Sequence, residues 1–499
     1  MRYISTRDSG AGFSASQAII QGIAPDGGLF VPQEFPRMDM DEVLEEADEG
    51  YMPLAGHIVR PFLDEYSDSE VLDIVRGAYG EGFTHPDCAP VVRLDQERYV
   101  LELWHGPTLA FKDMALQMLP HLMSASRKKV GEKDRILILV ATSGDTGKAA
   151  LEGFSGVDGI SIGVFYPHGG VSRAQELQMA THRGENVFVS SIRGNFDDTQ
   201  TAVKRVFGDA AYAKEMRARG VKLSSANSIN WGRLLPQIAY YFWAYARVVR
   251  DGGAKAGERI NFVVPTGNFG NILAGYYAHR MGLPVNRLVC ASNANNVLTE
   301  FFCSGNYNAK RPFFRTISPS MDILVSSNLE RLLFELANRD GKRVRGWMDG
   351  LRASGGYRLD APDMEKARAL FWAGYCDDAR TKDVIRAVFG DKGYLMDPHT
   401  AVAQAVFDDY RAQTGDTTPS VVVSTASPFK FSADVLGALG EAEEGDEFAA
   451  AEHLSRVSGL PVPEAIAGLR GLPVRFEEVL APEGIGERML RWAQTQVKG

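Results

Sequence analysis

The sequence predicts an α/β protein built mainly on parallel sheets, and three observations carry that reading. First, a short β-rich apolar run three times meets a loop of small polar residues and then a helical pattern: RILILVATSGDTGKAALEGF, INFVVPTGNFGNILAGYYAHRM and SVVVSTASPFKFSADVLGAL. Strands alternating with helices imply βαβ units and a parallel sheet. Second, 499 residues are too many for one ordinary core, and at roughly 100–200 residues per domain they suggest two or three. Third, 45% apolar and 23% charged residues match average globular usage, with no repeat or low-complexity tract. Because ligands bind beyond the carboxyl ends of parallel strands, the three loops are expected to meet at one cleft.

Taken in order, the first ~95 residues read as a separate N-terminal domain. There GIAPDGGLFVP turns sharply and the helical patterns DMDEVLEEA and DSEVLDIVRGAY follow. Next comes HGPTLAFKD, which sets Lys112 in apolar surroundings, and then LQMLPHLM, where Pro120 predicts a kink. TSGDTG, with Thr142 to Gly147, joins a strand to a helix; it is either a helix capped by Ser143 or Asp145, or a site offering hydroxyls and N–H groups to a carboxylate. SANSINWGR holds Asn227, Ser228, Asn230 and Arg233, either a surface turn or the donors for a phosphate. PTGNFGN repeats the strand–loop–helix setting, so glycines at 267 and 270 either make a tight connection or let N–H groups approach an anion. After about residue 440, the acidic EAEEGDEF and the final RMLRWAQTQ predict helices that close the fold.

Composition narrows the function. A net charge of −9 argues against nucleic acid or an anionic membrane as the main partner. Cys88, Cys290, Cys303 and Cys376 form no CxxC pair, and the nine histidines contain no HExxH, so no metal is expected. TSGDTGK is no Walker A loop: Thr142 stands at the first glycine and Ala149 at the Ser/Thr. The polar start MRYISTRDSG and the lack of a long apolar run predict a cytoplasmic protein.

Lys112 is the feature with chemistry. Burying an ammonium is costly, and desolvation lowers its pKa toward the range where a free amine attacks a carbonyl. The bland alternative is a lysine that snorkels to water or pairs with Asp113 or Glu102. Pyridoxal phosphate needs one amine, one anion cradle and one partner for its ring nitrogen. Lys112, the GNFGN loop and the Thr425 loop can supply them.

From residue 2 to about 435 the chain resembles the threonine synthases, in their bacterial and fungal branch, within the β-family of pyridoxal-phosphate enzymes. The segments that carry the resemblance are YISTRDSG, GIAPDGGLFVP, HGPTLAFKD, ATSGDTGKAA, SSANSINWGR, PTGNFGN, GYLMDPHTAVA and VVVSTASPFKF, in the family's order. The resemblance implies fold type II, similar to the tryptophan synthase β chain, with two open parallel-type α/β domains plus the N-terminal domain. The expected boundaries are 1–95, a catalytic region 96–440 with a mobile small subdomain at about 130–225, and a helical extension 441–499. It implies Lys112 as the Schiff-base lysine, Gly267, Asn268, Phe269, Gly270 and Asn271 as the cofactor-phosphate loop, and Thr425 as the ring-nitrogen partner. Asn227, Ser228 and Arg233 would take a substrate phosphate, and Ser143, Asp145 and Thr146 a substrate carboxylate or nearby cofactor atoms.

Many relatives carry Asn where Asp145 stands, so its side chain is expected to cap the helix while backbone and Thr146 donate. The family's TAHPAKF reads TASPFKF here, so Ser427 and Phe429 are expected to alter packing rather than chemistry. The implied reaction is conversion of O-phospho-L-homoserine and water to L-threonine and phosphate, by γ-elimination and β-addition of water, in a monomer or weak homodimer. The alternatives are a lyase or dehydratase that releases 2-oxobutyrate, and a silent cofactor-binding protein.

Overall fold

The computed structural model describes residues 1–499 apart from Ser9, Ser143, Glu443, Glu444, Lys498 and Gly499. Two sheets organise it. The larger runs Phe371–Tyr375, Val285–Ser292, Ile260–Pro265, Ser420–Ser424, Arg98–Glu102, Val91–Arg93. All its pairings are parallel except that of the edge strand Val91–Arg93. The smaller runs Val479–Leu480, Val187–Ile192, Ile160–Pro167, Arg135–Ala141, Val221–Ser224, parallel throughout. The central strands Ile160–Pro167 and Ile260–Pro265 are buried along their whole length, as strands covered on both faces must be.

Between the N-terminal segment and the larger sheet lies the helix Trp231–Arg250, buried at nearly every position. Tyr3 and Phe62 pack at a tilt against its Trp231 with ring centroids 5.4 and 5.6 Å away. The N-terminal residues therefore share one apolar core with this helix. The expected kink at Pro120 is a break: one helix spans Lys112–Leu116 and the next begins at Met118. Proline has no N–H for the carbonyl of Leu116, four residues back. Gly153 packs against that carbonyl so closely that a Cβ there would collide with it.

The residues after 440 are not helical alone. Val479–Leu480 adds a strand to the smaller sheet, and Ile485, Met489 and Ala493 of the following helix join Leu137, Leu139 and Phe165 in its core. A two-residue strand is too short to show a period of two, which is why the sequence concealed it.

Candidate active site

The loops after Arg135–Ala141, Ile260–Pro265 and Ser420–Ser424 meet at a cavity of about 380 Å³ between the two sheets, in the size range of small-ligand sites. Lys112 opens its helix inside this cavity. It is held there by backbone pairing to the Thr425 loop: Phe111 N donates to Thr425 O at 2.8 Å, and Ser427 N to Leu109 O at 3.0 Å. Leu109 takes a left-handed φ of 58° to make the turn.

The neighbours expected to neutralise Lys112 are engaged elsewhere. The Asp113 carboxylate accepts from Thr108 N and Oγ1 at 2.8 and 2.7 Å, and burial pushes its pKa up to about 6. Glu102 accepts from Tyr394 and pairs with His105. The Lys112 amine instead lies 3.5 Å from Asp145 Oδ2 and donates to Ser320 Oγ at 3.4 Å. Burial lowers its pKa, Asp145 works the other way, and Lys430 and Arg233 add to the lowering.

The PTGNFGN loop is a prepared cradle. Its carbonyls are drawn back into the protein: Ser326 Oγ donates to Gly267 O at 2.7 Å, and Asn328 donates to Asn268 O from its backbone and side chain. Gly267 admits no side chain, since a Cβ would lie 2.7 Å from Ser320 O. Phe269 turns at φ 65° and the helix Gly270–Arg280 begins, so its first-turn N–H groups have no intrahelical acceptor. Asn271 Oδ1 accepts from Tyr240 and Tyr241 at 2.7 and 2.8 Å, while its Nδ2 is buried without a partner among the described residues. A free amide donor beside a helix N-terminus fits a phosphate group.

In the TSGDTG loop, Thr142 Oγ1 accepts from Gly144 N and Gly147 N at 3.0 and 2.9 Å. The N-cap is Gly144, at φ 136°, and it gives no side-chain cap. Asp145 therefore does not cap the helix as expected. Its Oδ1 lies 3.0 Å from Lys430 Nζ and accepts from Gln175 Nε2 at 3.2 Å. A buried carboxylate is drawn to cations before it is drawn to a cap. Thr146 lines the cavity, and Ser143 lies outside the described residues.

The third wall holds Asn227, Ser228 and Arg233. Arg233 is buried near the start of Trp231–Arg250; Nη1 donates to Ala226 O at 3.0 Å, Nε has no partner among the described residues, and burial lowers its pKa to about 10. Thr425 lines the cavity, its hydroxyl free among the described residues. Asn230, by contrast, is spent on structure: its side chain caps the helix and donates to Ile19 O at 2.9 Å.

Sequence reasoning missed Ser320, His399, Lys204 and Lys430. His399 Nδ1 lies 2.8 Å from Asp397 Oδ1, and its Nε2 accepts from Ser320 N at 3.1 Å, which assigns a neutral ring protonated at Nδ1. It belongs to the GYLMDPHTAVA segment, whose helix-capping Asp397 was a readable signal. Lys204 reaches the cavity from the helix Phe196–Gly208 and pairs with Gln200 at 2.7 Å. Among the described residues, no group of three metal-ligating side chains and no helix long and apolar enough to cross a membrane is found.

A half-buried lysine, a glycine–asparagine loop with a spare amide donor and a threonine hydroxyl lining one cavity are the three parts that a pyridoxal-phosphate enzyme requires. Family models match accordingly: Threonine synthase N terminus over residues 2–79, Pyridoxal-phosphate dependent enzyme over 88–427, and Threonine synthase, C-terminal over 400–484. The threonine synthase of Pseudomonas aeruginosa is 42% identical over 432 residues, covering 86% of this chain and 89% of that one. Human threonine synthase-like 1 is 39% identical over 434 residues, covering 85% of this chain and 58% of that one. The crystal structure of pyridoxal-phosphate-bound threonine synthase from Brucella melitensis superposes with a TM-score of 0.88 at 38% identity, with full coverage of both chains. The chain belongs to the threonine synthase family of pyridoxal-phosphate-dependent enzymes.

Proposed function

We propose that the protein converts O-phospho-L-homoserine and water to L-threonine and phosphate. One observation supports the reading: two sets of candidate anion donors, Gly267–Asn271 and Asn227/Ser228/Arg233, line one cavity with the same lysine. A plain hydroxy amino acid would leave the second of them without a ligand. Bound pyridoxal phosphate supplies the electron withdrawal from the substrate α-carbon that γ-elimination and β-addition of water require. Gly267, Asn268, Phe269, Gly270 and Asn271 would hold its phosphate, Lys112 its aldehyde carbon and Thr425 its ring nitrogen, since all of them line the cavity. A neutral hydroxyl does not keep that nitrogen protonated as a carboxylate would, which favours elimination over transamination.

Lys112 acts as the base. Its amine, made less basic by burial, takes the proton from Cα and delivers protons at Cβ. Thr146, with the backbone N–H groups of Asp145 and Thr146 at the start of the helix, orients the substrate carboxylate; the N–H groups of Gly144 and Gly147 are taken by Thr142. Arg233 uses its unpartnered Nε for the substrate phosphate, with Asn227 and Ser228 beside it. The small lobe, about residues 130–225, closes over the cavity and keeps stray water out until the addition step. The reading includes a cytoplasmic monomer or weak homodimer that binds neither membrane nor nucleic acid, supported by the net charge of −9.

The test incubates the cofactor-loaded protein with O-phospho-L-homoserine and identifies the carbon product. Threonine and phosphate in equal amounts support the reading. Phosphate with 2-oxobutyrate makes the protein a phospho-lyase, and no phosphate release overturns the assignment of the substrate.

A further inference from the structure

Asp145 poses a problem that its family resemblance does not answer. An ionised carboxylate in the loop meant for an anionic substrate repels that substrate, and an ionised carboxylate beside the reactive lysine grips its proton. Burial opposes its ionisation, yet Lys430 first and Lys112 second hold its pKa well below the usual carboxylate range. Asp145 is an anion in this site.

The geometry shows how the charge is shared. Lys430 Nζ lies 3.0 Å from Asp145 Oδ1, on the opposite carboxylate oxygen from Lys112, whose Nζ is 3.5 Å from Oδ2. The Lys430 side chain is 7% exposed, and the same ammonium donates to Thr108 O at 2.8 Å. Lys430 thus joins the HGPTLAFKD segment, the TSGDTG loop and the Thr425 loop at one point. Thr108 in turn donates twice to Asp113, next in sequence to Lys112.

We propose that Lys430 is a positioning residue for the Lys112 amine: it keeps most of the Asp145 charge on itself and so decides how firmly Asp145 holds the proton on Lys112. The proposal rests on Lys112 being the cofactor lysine. When that amine loses its charge during the reaction, Asp145 retains a cation, and no buried unpaired anion is left behind. The same arrangement lowers the negative charge that the TSGDTG loop presents to a substrate carboxylate. The other titratable groups facing this cluster are Arg233 toward Lys112, the His399 ring toward Asp145, and Lys148 toward Lys430, Asp113 and Asp145. Asp113 faces both Lys430 and Lys148.

The experiment is a pH titration of the absorbance of the cofactor bound to the holoenzyme, which reads the pH at which the lysine nitrogen loses its proton. K430M removes a neighbouring cation and leaves Asp145 to Lys112 alone, so the midpoint is expected to rise by about one unit. D145N removes the anion, and the midpoint falls by about one unit. K430R keeps the charge and leaves the midpoint near that of the unaltered protein. If K430M does not load cofactor, K430Q, which keeps a donor for the Thr108 carbonyl, carries the same prediction. An unmoved midpoint in the Lys430 variant, or a shift in the same direction as that of D145N, overturns the proposal. Borohydride reduction and peptide mapping separate the two levels of the argument. Label missing from Lys112 refutes the site reading, whereas label on Lys112 with an unmoved midpoint refutes only the role of Lys430.

Discussion

The two anion walls of the cavity are built differently. In Gly267–Asn271, carbonyls are drawn away by Ser326 and Asn328, the Asn271 carbonyl oxygen accepts from two tyrosines, and one buried amide donor is left over. Around Arg233, Asn227 is exposed, Ser228 is half-buried, and their side-chain contacts are with each other and with Ile229 N at 3.4 Å. A wall whose carbonyls are tied back and whose one spare amide donor is buried is pre-organised for a resident group. A wall with loosely held donors suits a group that arrives with each substrate and leaves as product. The contrast is the one the proposed function requires, with the cofactor phosphate at the first wall and the substrate phosphate at the second.

Substitutions can break or sharpen this division. Lys112 serves both walls, so K112A is expected to lower turnover at least about 10³-fold, with an unchanged circular dichroism spectrum. R233M removes a charged donor from the transient wall alone. The expectation is a KM for the phosphorylated substrate raised about 10²-fold, as loss of a charge-assisted hydrogen bond predicts, with cofactor affinity unchanged. N271A does the reverse. It removes the acceptor shared by the Tyr240 and Tyr241 hydroxyls, which keep Gln237 Oε1 and the carbonyl of residue 271, so a loss of about 1 kcal/mol is expected in urea unfolding, with weaker cofactor binding and no matching rise in KM. T142V touches neither wall directly. It removes the acceptor for Gly144 N and Gly147 N, and a loss of about 1 kcal/mol, the size of a helix-cap effect, is expected.

Legibility followed the locality of the interactions. PTGNFGN could be read because strand, loop and helix are contiguous and the donors are the backbone's own. Lys112 stood out because its neighbours in sequence are apolar. Asp145 was misread because its partner Lys430 comes from a loop far along the chain, and no local pattern shows that a carboxylate meets a cation instead of a cap. Ser320 and Lys204 enter the cavity from segments whose sequences carry no motif; folding alone brings them there. Ser427 caps the turn Pro428–Phe431, and Phe429 is buried in one cluster with Leu109, Val435 and Leu436.

The division of the cavity is tested most directly by titrating inorganic phosphate into the cofactor-loaded protein by calorimetry. The cradle at Gly267–Asn271 is then filled, so added phosphate has only the wall of Arg233 to bind. The account predicts one phosphate per chain, with binding lost in R233M. No binding to the unaltered holoenzyme, or binding that R233M leaves intact, would contradict it.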